Sequence, residues 1–289
     1  MIYLEVSNIA AVCGVNPYES REKILLINWA RHCPDIVKKY LIDNNCISEV
    51  QTQSNLELQK NIYDQEKPDN FDIKDFEEIK HKTIKKYRTE RGNNETEEEI
   101  KEFSKEIDDN LKKDLGNVKE NKVIIENNYS KGNEKMYYYN ITNNFKIGGK
   151  YDAIIDDKII EIKTRTAKRN VKKNLYDLYQ LISYLIVCNK EKGKIVQYYN
   201  SIKYDSDIET DFEFGLININ DPKIYEIVNN IKNKLYLYFI EIDNLIKTGI
   251  YIYLNKIIPP KIRPIITINN DNICRYDIKF KNLVKLLNN

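Results

Sequence analysis

Two carboxylates and an amine stand close together in the middle of the chain. Asp152 ends the stretch Gly148–Asp152, and Glu161 and Lys163 follow it by nine and eleven positions. The intervening Asp156–Lys158 has the composition of a turn between two apolar runs, which predicts an antiparallel hairpin. In such a hairpin both acids can lie at one edge of the same small sheet.

Alternation along the second strand separates its charged side chains from its apolar ones. Residues two apart share a face, so Glu161 and Lys163 share one face while Ile160 and Ile162 share the other. Carboxylates on adjacent strands form a hard-oxygen site suited to Mg²⁺ or Mn²⁺, which also bind substrate phosphate. In a phosphodiesterase, Lys163 can orient or help deprotonate the attacking water and offset transition-state charge. The alternative is an exposed hairpin with ordinary surface charges.

An amphipathic helix is predicted after these strands, at about Leu175–Val187. Tyr176, Gln180 and Tyr184 follow one stripe at i, i+4 and i+8, and the opposite side carries Leu175, Leu178, Ile182 and Leu185. Taken alone, such a stripe is more often ordinary helix packing. Behind an acid-acid-lysine strand, it becomes a candidate surface for substrate.

A basic run connects the strand to the helix. It comprises Lys163, Arg165, Lys168, Arg169, Lys172 and Lys173, with no acidic residue between them. Phosphate contacts supply much of the affinity for DNA, so this run and Lys150 are candidate DNA-binding residues. A solvated charged loop is the alternative.

Composition bounds the class of protein. The 289 residues carry 46 basic and 44 acidic side chains, so nucleic-acid binding requires a local basic surface rather than global charge. Five scattered cysteines and two histidines argue against a disulfide framework, a zinc finger or an iron-sulfur cluster. The chain lacks a signal-peptide pattern and a membrane-spanning run. We expect a soluble protein of a reducing compartment, cytoplasmic or in the nucleus or a viral factory, and not secreted.

The pattern along the chain predicts one domain over residues 1–289. Its parts are a mainly helical 1–115, an α/β core over 116–220 and a C-terminal helical extension over 221–289. Residues 1 to about 45 are predicted as short helices. Strands are predicted at Val123–Glu126, Lys135–Ile141, Phe145–Ile155, Ile159–Thr164, Ile195–Tyr199, Phe212–Ile219, Ile250–Tyr253 and Ile265–Ile268, with later helices at Pro222–Ile246 and from Phe280.

The sequence Gly-Gly-Lys-Tyr-Asp followed by Glu161-Ile162-Lys163 resembles the signature of the PD-(D/E)XK nuclease superfamily, with Tyr151 in place of the leading proline. Tyr179–Tyr184 resembles the Gln-x-x-x-Tyr motif of its RecB-like and lambda-exonuclease-like members. The resemblance implies a restriction-endonuclease-like α/β core, with a central mixed sheet flanked by helices. It places Gln180 and Tyr184 near the scissile phosphate, and it implies metal binding by Asp152, Glu161 and the Ile162 carbonyl.

The amino-terminal stretch Val6–Ser20 resembles the Ser-x-Ile-Ala-x-x-x-Gly-x-x-Pro-Tyr-x-Ser opening of the YqaJ-type viral recombinase family, which is related to lambda exonuclease. This resemblance implies that Ser7 contacts the 5′ phosphate end of the substrate. The arginine that usually precedes this serine has no counterpart here.

The same family has a helix that opens with Gly-x-x-x-Glu and supplies a metal-binding glutamate. Around Gly92, Thr96 holds the usual position of that acid. The buried face predicted by Ile100, Phe103 and Ile107 instead favours Glu97 as a catalytic and metal-binding residue. Glu95 and Glu98 remain close alternatives. A further alternative is that these acids have no ligand and form a solvated first turn that the helix dipole favours.

Together these features predict a metal-dependent deoxyribonuclease, most simply a 5′-to-3′ exonuclease on linear double-stranded DNA in viral or phage-type recombination, repair or defence. A homo-oligomer and a helicase or recombinase partner would suit such an enzyme. The alternatives are a PD-(D/E)XK endonuclease, a CRISPR-adaptation-type single-strand exonuclease without an iron-sulfur cluster, and a non-catalytic DNA-binding subunit.

Overall fold

The chain has a mixed α/β structure whose residues group into two units, each described here by itself. The computed structural model describes residues 1–37, 53–132, 135–165, 174–199, 202–204, 217–248, 251–253 and 256–258. The first unit contains residues 1–32 and the described residues from Glu120 onward, and the second contains 33–37 and 53–119. The single-domain organisation stays a prediction, and its helical part, 1–115, is divided between the units.

The main elements of the described residues are eleven strands and seven α-helices, each type numbered in chain order. The strands are β1 (Ile2–Glu5), β2 (Ser130–Lys131), β3 (Tyr137–Thr142), β4 (Phe145–Gly149), β5 (Ala153–Ile155), β6 (Lys158–Arg165), β7 (Lys192–Tyr199), β8 (Ile202–Tyr204), β9 (Ile217–Asn218), β10 (Tyr251–Tyr253) and β11 (Lys256–Ile258). The α-helices are α1 (Ile9–Val12), α2 (Arg21–His32), α3 (Gln53–Glu66), α4 (Phe76–Arg91), α5 (Glu97–Glu126), α6 (Leu175–Cys188) and α7 (Pro222–Thr248).

The predicted hairpin is confirmed in the larger sheet. Strands β5 and β6 pair antiparallel, with Ala153 opposite Ile160. The two turn residues, Asp156 and Asp157, have φ angles of 45° and 66°. Positive φ at both central positions matches the twist of the flanking strands, and aspartate tolerates it better than most residues. The turn therefore fixes the register that the two acids depend on.

The larger sheet is mixed. In the described part of the chain its strands lie in the order β2, β5, β6, β7 and β8, and β9 also pairs with β7. Strands β6 and β7 are parallel, with Lys163 opposite Gln197. A parallel pair needs a crossover, and α6 supplies it between them. The helix packs on β7 closely, because a Cβ on Gly193 would come within 2.8 Å of Leu181 Cδ1.

The apolar face of β6 packs against the end of helix α5. Ile160 and Ile162 lie in one buried cluster with Val123 and Ile124. The prediction of a strand at Val123–Glu126 is therefore wrong, since these residues form the last turns of α5. Val123 and Ile124 are buried while Ile125 is 75% exposed, a helical rather than an alternating pattern. Packing onto the sheet outweighs the weak strand preference of β-branched residues.

A smaller sheet contains three strands in the order β1, β4 and β3. Strand β1 runs parallel to β4, and β3 runs antiparallel to it. Residues 1 to about 45 were expected to be helical, but Ile2–Glu5 is a strand. Its buried Ile2 and Leu4 alternate with the partly exposed Tyr3 and Glu5, which is the period-2 pattern of a strand with one buried face.

The remaining helices are packed within their own units. Helices α6 and α7 confirm the predictions for Leu175–Val187 and Pro222–Ile246. In the second unit, Tyr87 and Phe103 lie in one buried cluster, with ring centroids 4.8 Å apart. No helix in the described ranges is long and apolar enough to cross a membrane. The predictions at Ile265–Ile268 and from Phe280 lie outside the described residues.

Candidate active site

Asp152 is held at the point where β5 begins. Its Oδ2 accepts a hydrogen bond of 2.7 Å from the backbone N–H of Ile162. The β5–β6 ladder pairs Ala153 with Ile160, so the N–H of Ile162 lies beyond its last pair. The carboxylate satisfies that group in place of a strand partner. Asp152 is thus fixed beside the strand that carries the other two predicted catalytic residues.

Lys163 joins strand β6 to helix α6. Its Nζ donates to Glu161 Oε1 at 2.6 Å and to Gln180 Oε1 at 2.9 Å. Tyr184, one turn further along the helix, hydrogen-bonds to Gln180. The structure therefore brings together five residues that the sequence marked as a catalytic group: Asp152, Glu161, Lys163, Gln180 and Tyr184.

Glu161 is buried with part of its charge uncompensated. The residue is 1% exposed, and its Oε2 is a buried atom without a hydrogen-bond partner among the described residues. Burial and the neighbouring Asp152 raise the pKa of Glu161, and Lys163 opposes them only in part. A buried carboxylate oxygen without a partner is costly, so this atom is a natural ligand for a cation.

Glu120 is a third acid of this site, and sequence reasoning missed it. It lies near the end of α5 and is partly buried. Burial first, and the charge of Glu161 second, raise its pKa to about 7. Burial and the charge of Glu120 likewise raise the pKa of Asp152 to about 6. A signal was present: Gly116-Asn117-Val118-Lys119-Glu120 has the Gly-x-x-x-Glu spacing sought around Gly92.

The glutamates favoured from the sequence have a different environment. Glu97 belongs to the second unit, about six helical turns before Glu120 along α5. Its side chain is 96% exposed, and its Oε1 lies 3.7 Å from Arg88 Nη2. Glu98 is exposed as well. Glu95 has a buried Oε1 without a hydrogen-bond partner in the described part of the chain.

The first turn of α5 is organised as a helix cap. Thr96 Oγ1 accepts the N–H of Glu99 at 3.2 Å, and Glu99 Oε2 accepts the N–H of Thr96 at 2.8 Å. This reciprocal pair is a capping box, which satisfies N–H groups that the helix leaves open. The capping box therefore gives Glu99 a structural role that involves no ligand.

Asp177 is a second residue that the sequence did not single out. It is 1% exposed at the start of α6. Its Oδ2 pairs with Arg165 Nη2, and its Oδ1 lies 3.9 Å from Lys163 Nζ. Asp177 therefore holds two cations of β6 against the helix. In the sequence, only the position of Asp177 in the first turn of the helix indicated a role. Acids are common at that position because the helix dipole stabilises them.

The charges of this cluster keep Lys163 protonated. Burial alone would lower its pKa, but Glu161 and Asp177 outweigh burial and raise the pKa above its ordinary value. An ammonium group can donate hydrogen bonds and offset negative charge, but it cannot accept a proton. In this state Lys163 fits the role of orienting water better than that of deprotonating it.

The predicted DNA-binding residues fall into three groups. Lys150 is exposed two positions before Asp152. Arg165 is largely engaged, because its Nε donates to Gln197 Oε1 at 2.9 Å and its Nη1 to the Tyr176 hydroxyl at 3.1 Å. The others lie outside the described residues: Lys168, Arg169, Lys172 and Lys173.

The amino-terminal motif packs beside the same helix. Ser7 is exposed in a short turn that follows β1. Its neighbour Val6 and the ring of Tyr184 both lie against Gly149, where a Cβ would come within 2.8 to 3.0 Å of them. Tyr18 makes an edge-to-face contact with Tyr176 at 5.7 Å. Glycine at position 149 thus allows Val6, the residue before Ser7, and Tyr184 to pack against the same strand.

The donor set suits a magnesium-type ion in part. Within the described ranges, no three His, Cys, Asp or Glu side chains form a ready metal-binding group. Mg²⁺ usually retains several waters and binds through one or two carboxylates, so a complete protein cage is not required. The unpartnered Oε2 of Glu161, with Asp152 beside it, meets that smaller requirement.

Comparisons with known proteins give little further information. No protein-family model and no curated protein match the chain. Among solved structures, it is similar to the crystal structure of SSO0001, with a TM-score of 0.34, 19% identity and coverage of 65% of this chain and 88% of that one. It is also similar to an alkaline exonuclease, LHK-Exo, from Laribacter hongkongensis, with a TM-score of 0.32, 18% identity and coverage of 44% and 66%. Similarities at this level do not establish a shared fold.

Proposed function

We propose that this protein is a metal-dependent deoxyribonuclease of the PD-(D/E)XK type, from its RecB-like, lambda-exonuclease-like branch. The observation that carries the proposal is the single network around Lys163, whose Nζ bonds both Glu161 and Gln180. Asp152 accepts a hydrogen bond from the backbone N–H of Ile162, the residue between Glu161 and Lys163 in β6. Burying the charges of Asp152, Glu161 and Lys163 in one place is costly, and clusters of this kind are concentrated at functional sites.

Mg²⁺ or Mn²⁺ would be held by Asp152 and Glu161 with the Ile162 carbonyl, and the charge of Glu120 would act on the ion from nearby. In a strand, the N–H and C=O of one residue point to the same edge. Because the N–H of Ile162 faces Asp152, its carbonyl faces that edge too. The bound ion would polarise the phosphate and lower the pKa of a coordinated water.

The protein side chains supply orientation and charge. Lys163 carries a positive charge at the position where the attacking water and the phosphate would meet. Gln180 holds Lys163 in place, and Tyr184 in turn hydrogen-bonds to Gln180. This arrangement keeps the lysine's donors directed along one face of β6.

We assign the finer activity as 5′-to-3′ exonucleolytic digestion of linear double-stranded DNA, in viral or phage-type recombination, repair or defence. The support is the amino-terminal motif, in which Val6, the residue before Ser7, packs with Tyr184 against Gly149. Lys150 and the basic run would contribute phosphate contacts. A homo-oligomer and a helicase or recombinase partner belong to the same proposal.

The test uses the full chain with linear duplexes labelled at either end and with closed circular DNA, each with and without Mg²⁺. We expect release of labelled nucleotides from the 5′ end of linear DNA only, and only with the metal. Lys163→Ala should reduce the rate by at least about 100-fold, since one charge-stabilising donor contributes that much. Lys82→Ala, at an exposed helical lysine, is the matched control.

The outcomes separate the alternatives. Cleavage of closed circles would favour an endonuclease over an exonuclease. DNA binding without cleavage in Mg²⁺ would favour a non-catalytic subunit. Full activity of Lys163→Ala would contradict the assigned site itself.

A further inference from the structure

The outer face of the smaller sheet carries a pair of tyrosines around a lysine. Along β1 and β4, Leu4 and Ile147 are completely buried on the inner face. The alternate positions, Tyr3 and Lys146, are register partners on the outer face, and Tyr138 of β3 lies there opposite Gly148. We call Tyr3, Tyr138 and Lys146 the tyrosine-lysine face.

The three side chains contact one another in a defined arrangement. The Nζ of Lys146 lies 4.4 Å from the ring centroid of Tyr138 and 5.9 Å from that of Tyr3. The two rings are 6.0 Å apart and nearly edge-on, at 66°. The hydroxyl of Tyr3 donates to the Gly148 carbonyl at 3.2 Å. The lysine is therefore held between two aromatic rings rather than extended into solvent.

Gly148 makes room for this arrangement. A Cβ at that position would lie 2.7 Å from Tyr138 Cδ1 and 2.8 Å from the Tyr137 carbonyl oxygen. The ring of Tyr138 thus packs against the bare backbone of Gly148, yet the residue remains 52% exposed. An exposed aromatic ring held against a sheet offers a surface on which another planar ring can stack.

We propose that the tyrosine-lysine face binds the unpaired bases of a DNA strand that leads to the Asp152–Glu161 site. This inference rests on the proposed nuclease function and specifies how its substrate is held. A base would stack on Tyr138 in the place that Lys146 Nζ holds in the free protein, and Lys146 would turn outward to pair with the adjacent phosphate. Aromatic rings combined with basic side chains are the usual means of holding single strands.

Strand β4 leads from this face to the acidic site. It carries Lys146 and Gly148 on the outer face and Gly149, against which Tyr184 packs, on the inner face, and Lys150 and Asp152 come after its end. The DNA strand would pass around that end, and Asp152 lies six positions after Lys146, a span of at most about 20 Å. Stacked DNA rises by about 3.4 Å per nucleotide in each strand. A tail of about six nucleotides or fewer would therefore reach from one to the other.

The charges of this face are compatible with a polyanion. Glu5 lies on the same face, opposite Gly148. Arg31 offsets its charge, because Nη2 of Arg31 lies 3.6 Å from Glu5 Oε1. Lys146 and Lys150 then give a positive charge to the end of β4 that leads to Asp152, as phosphate contacts require.

The test measures the binding of a fluorescein-labelled 12-nucleotide thymidine strand to the full chain by anisotropy, in EDTA so that no cleavage occurs. Tyr138→Ala should weaken binding about tenfold, the typical loss of one base-stacking contact. Tyr138→Phe, which keeps the ring, should bind within about twofold of the wild type. Tyr225→Ala is the matched control, because Tyr225 is similarly exposed, at 55%, on helix α7.

A second measurement separates this inference from the proposed function. Mg²⁺-dependent cleavage of a duplex with a 12-nucleotide tail should fall with Tyr138→Ala, while cleavage of a blunt duplex falls much less. If the wild type cleaves both but Tyr138→Ala binds and cleaves normally, the tyrosine-lysine face is excluded and the nuclease stands. If the wild type cleaves neither duplex, the nuclease function itself fails. Equal weakening by Tyr138→Phe would also overturn the stacking role.

Discussion

Helix α5 has glutamates at both of its ends, and the two ends differ in nearly every physical respect. At its start, Glu97 is 96% exposed and Glu99 closes a capping box with Thr96. Near its end, Glu120 is partly buried, and both burial and Glu161 raise its pKa to about 7. Water and the helix dipole thus stabilise the charged form of the glutamates at the start of α5. The surroundings of Glu120, near its end, destabilise the charged form.

The difference shows which acids indicate a functional site. Carboxylates in a first turn are stabilised by the free N–H groups there, so their presence needs no ligand. A carboxylate placed beside Asp152 and Glu161 loses hydration and adds repulsion, and only a cation would compensate. Local pattern alone cannot separate the two cases, because the environment that distinguishes them comes from the hairpin far along the chain.

The largest expected difference between the two ends of α5 concerns the rate of DNA cleavage. Glu120→Gln should reduce the Mg²⁺-dependent rate of DNA cleavage by about 100-fold, as loss of a residue that supports a metal site does. Glu97→Gln should stay within about twofold of the wild type, because its side chain is in solvent. Single-turnover rates on one linear duplex would measure both. Similar losses in the two variants would remove the distinction between the ends of α5.

The next effect concerns stability against pH in EDTA. The folded-state pKa values of Asp152 and Glu120, about 6 and about 7, are raised above their ordinary values. Such groups contribute stability that is fully present below about pH 4 and is lost as pH rises through 6 to 7. Urea unfolding should therefore show the free energy of unfolding falling from about pH 4 to pH 7, by up to about 1.4 kcal/mol per pH unit for each titrating group.

Glu120→Gln should flatten this pH dependence, since it removes one titrating group and part of the repulsion on Asp152. Glu97→Gln should leave the slope unchanged. A wild-type stability that rises over the same pH range would show that the acids near Glu161 are not destabilised by their surroundings.

The smallest effect concerns the other end of the helix. Thr96→Ala removes the capping hydroxyl that accepts the Glu99 N–H. It should lower the free energy of unfolding by about 1 kcal/mol and leave the cleavage rate unchanged. Thr96→Ser, which retains the hydroxyl, should recover most of the stability. A large loss of cleavage in Thr96→Ala would mean that the start of α5 takes part in the chemistry.

Much of the candidate site was predictable because its logic is local. The turn at Asp156 and Asp157 and the alternation along β6 predicted a hairpin with Glu161 and Lys163 on one face, and the structure confirms both. The helical spacing of Gln180 and Tyr184 needed only the period of an α-helix. These features follow from backbone geometry over fewer than a dozen residues.

The parts that failed depend on contacts between distant segments. Val123 and Ile124 have the composition of a strand, yet they complete a helix because β6 and β7 offer them an apolar surface. Ending that helix too early in the prediction also removed Glu120 from consideration. Asp177 resembled an ordinary first-turn acid, and only the fold shows that it is buried between Lys163 and Arg165.

The most direct test of the central claim is single-turnover cleavage of an end-labelled linear duplex by the wild type and by Glu161→Gln, each in Mg²⁺ and in EDTA. Glutamine keeps the size of the side chain and removes its charge. The account predicts cleavage by the wild type in Mg²⁺ only, and a rate at least about 1,000-fold lower for Glu161→Gln, since the ion and Lys163 both lose their shared partner. Cleavage in EDTA, or an undiminished rate in Glu161→Gln, would contradict it.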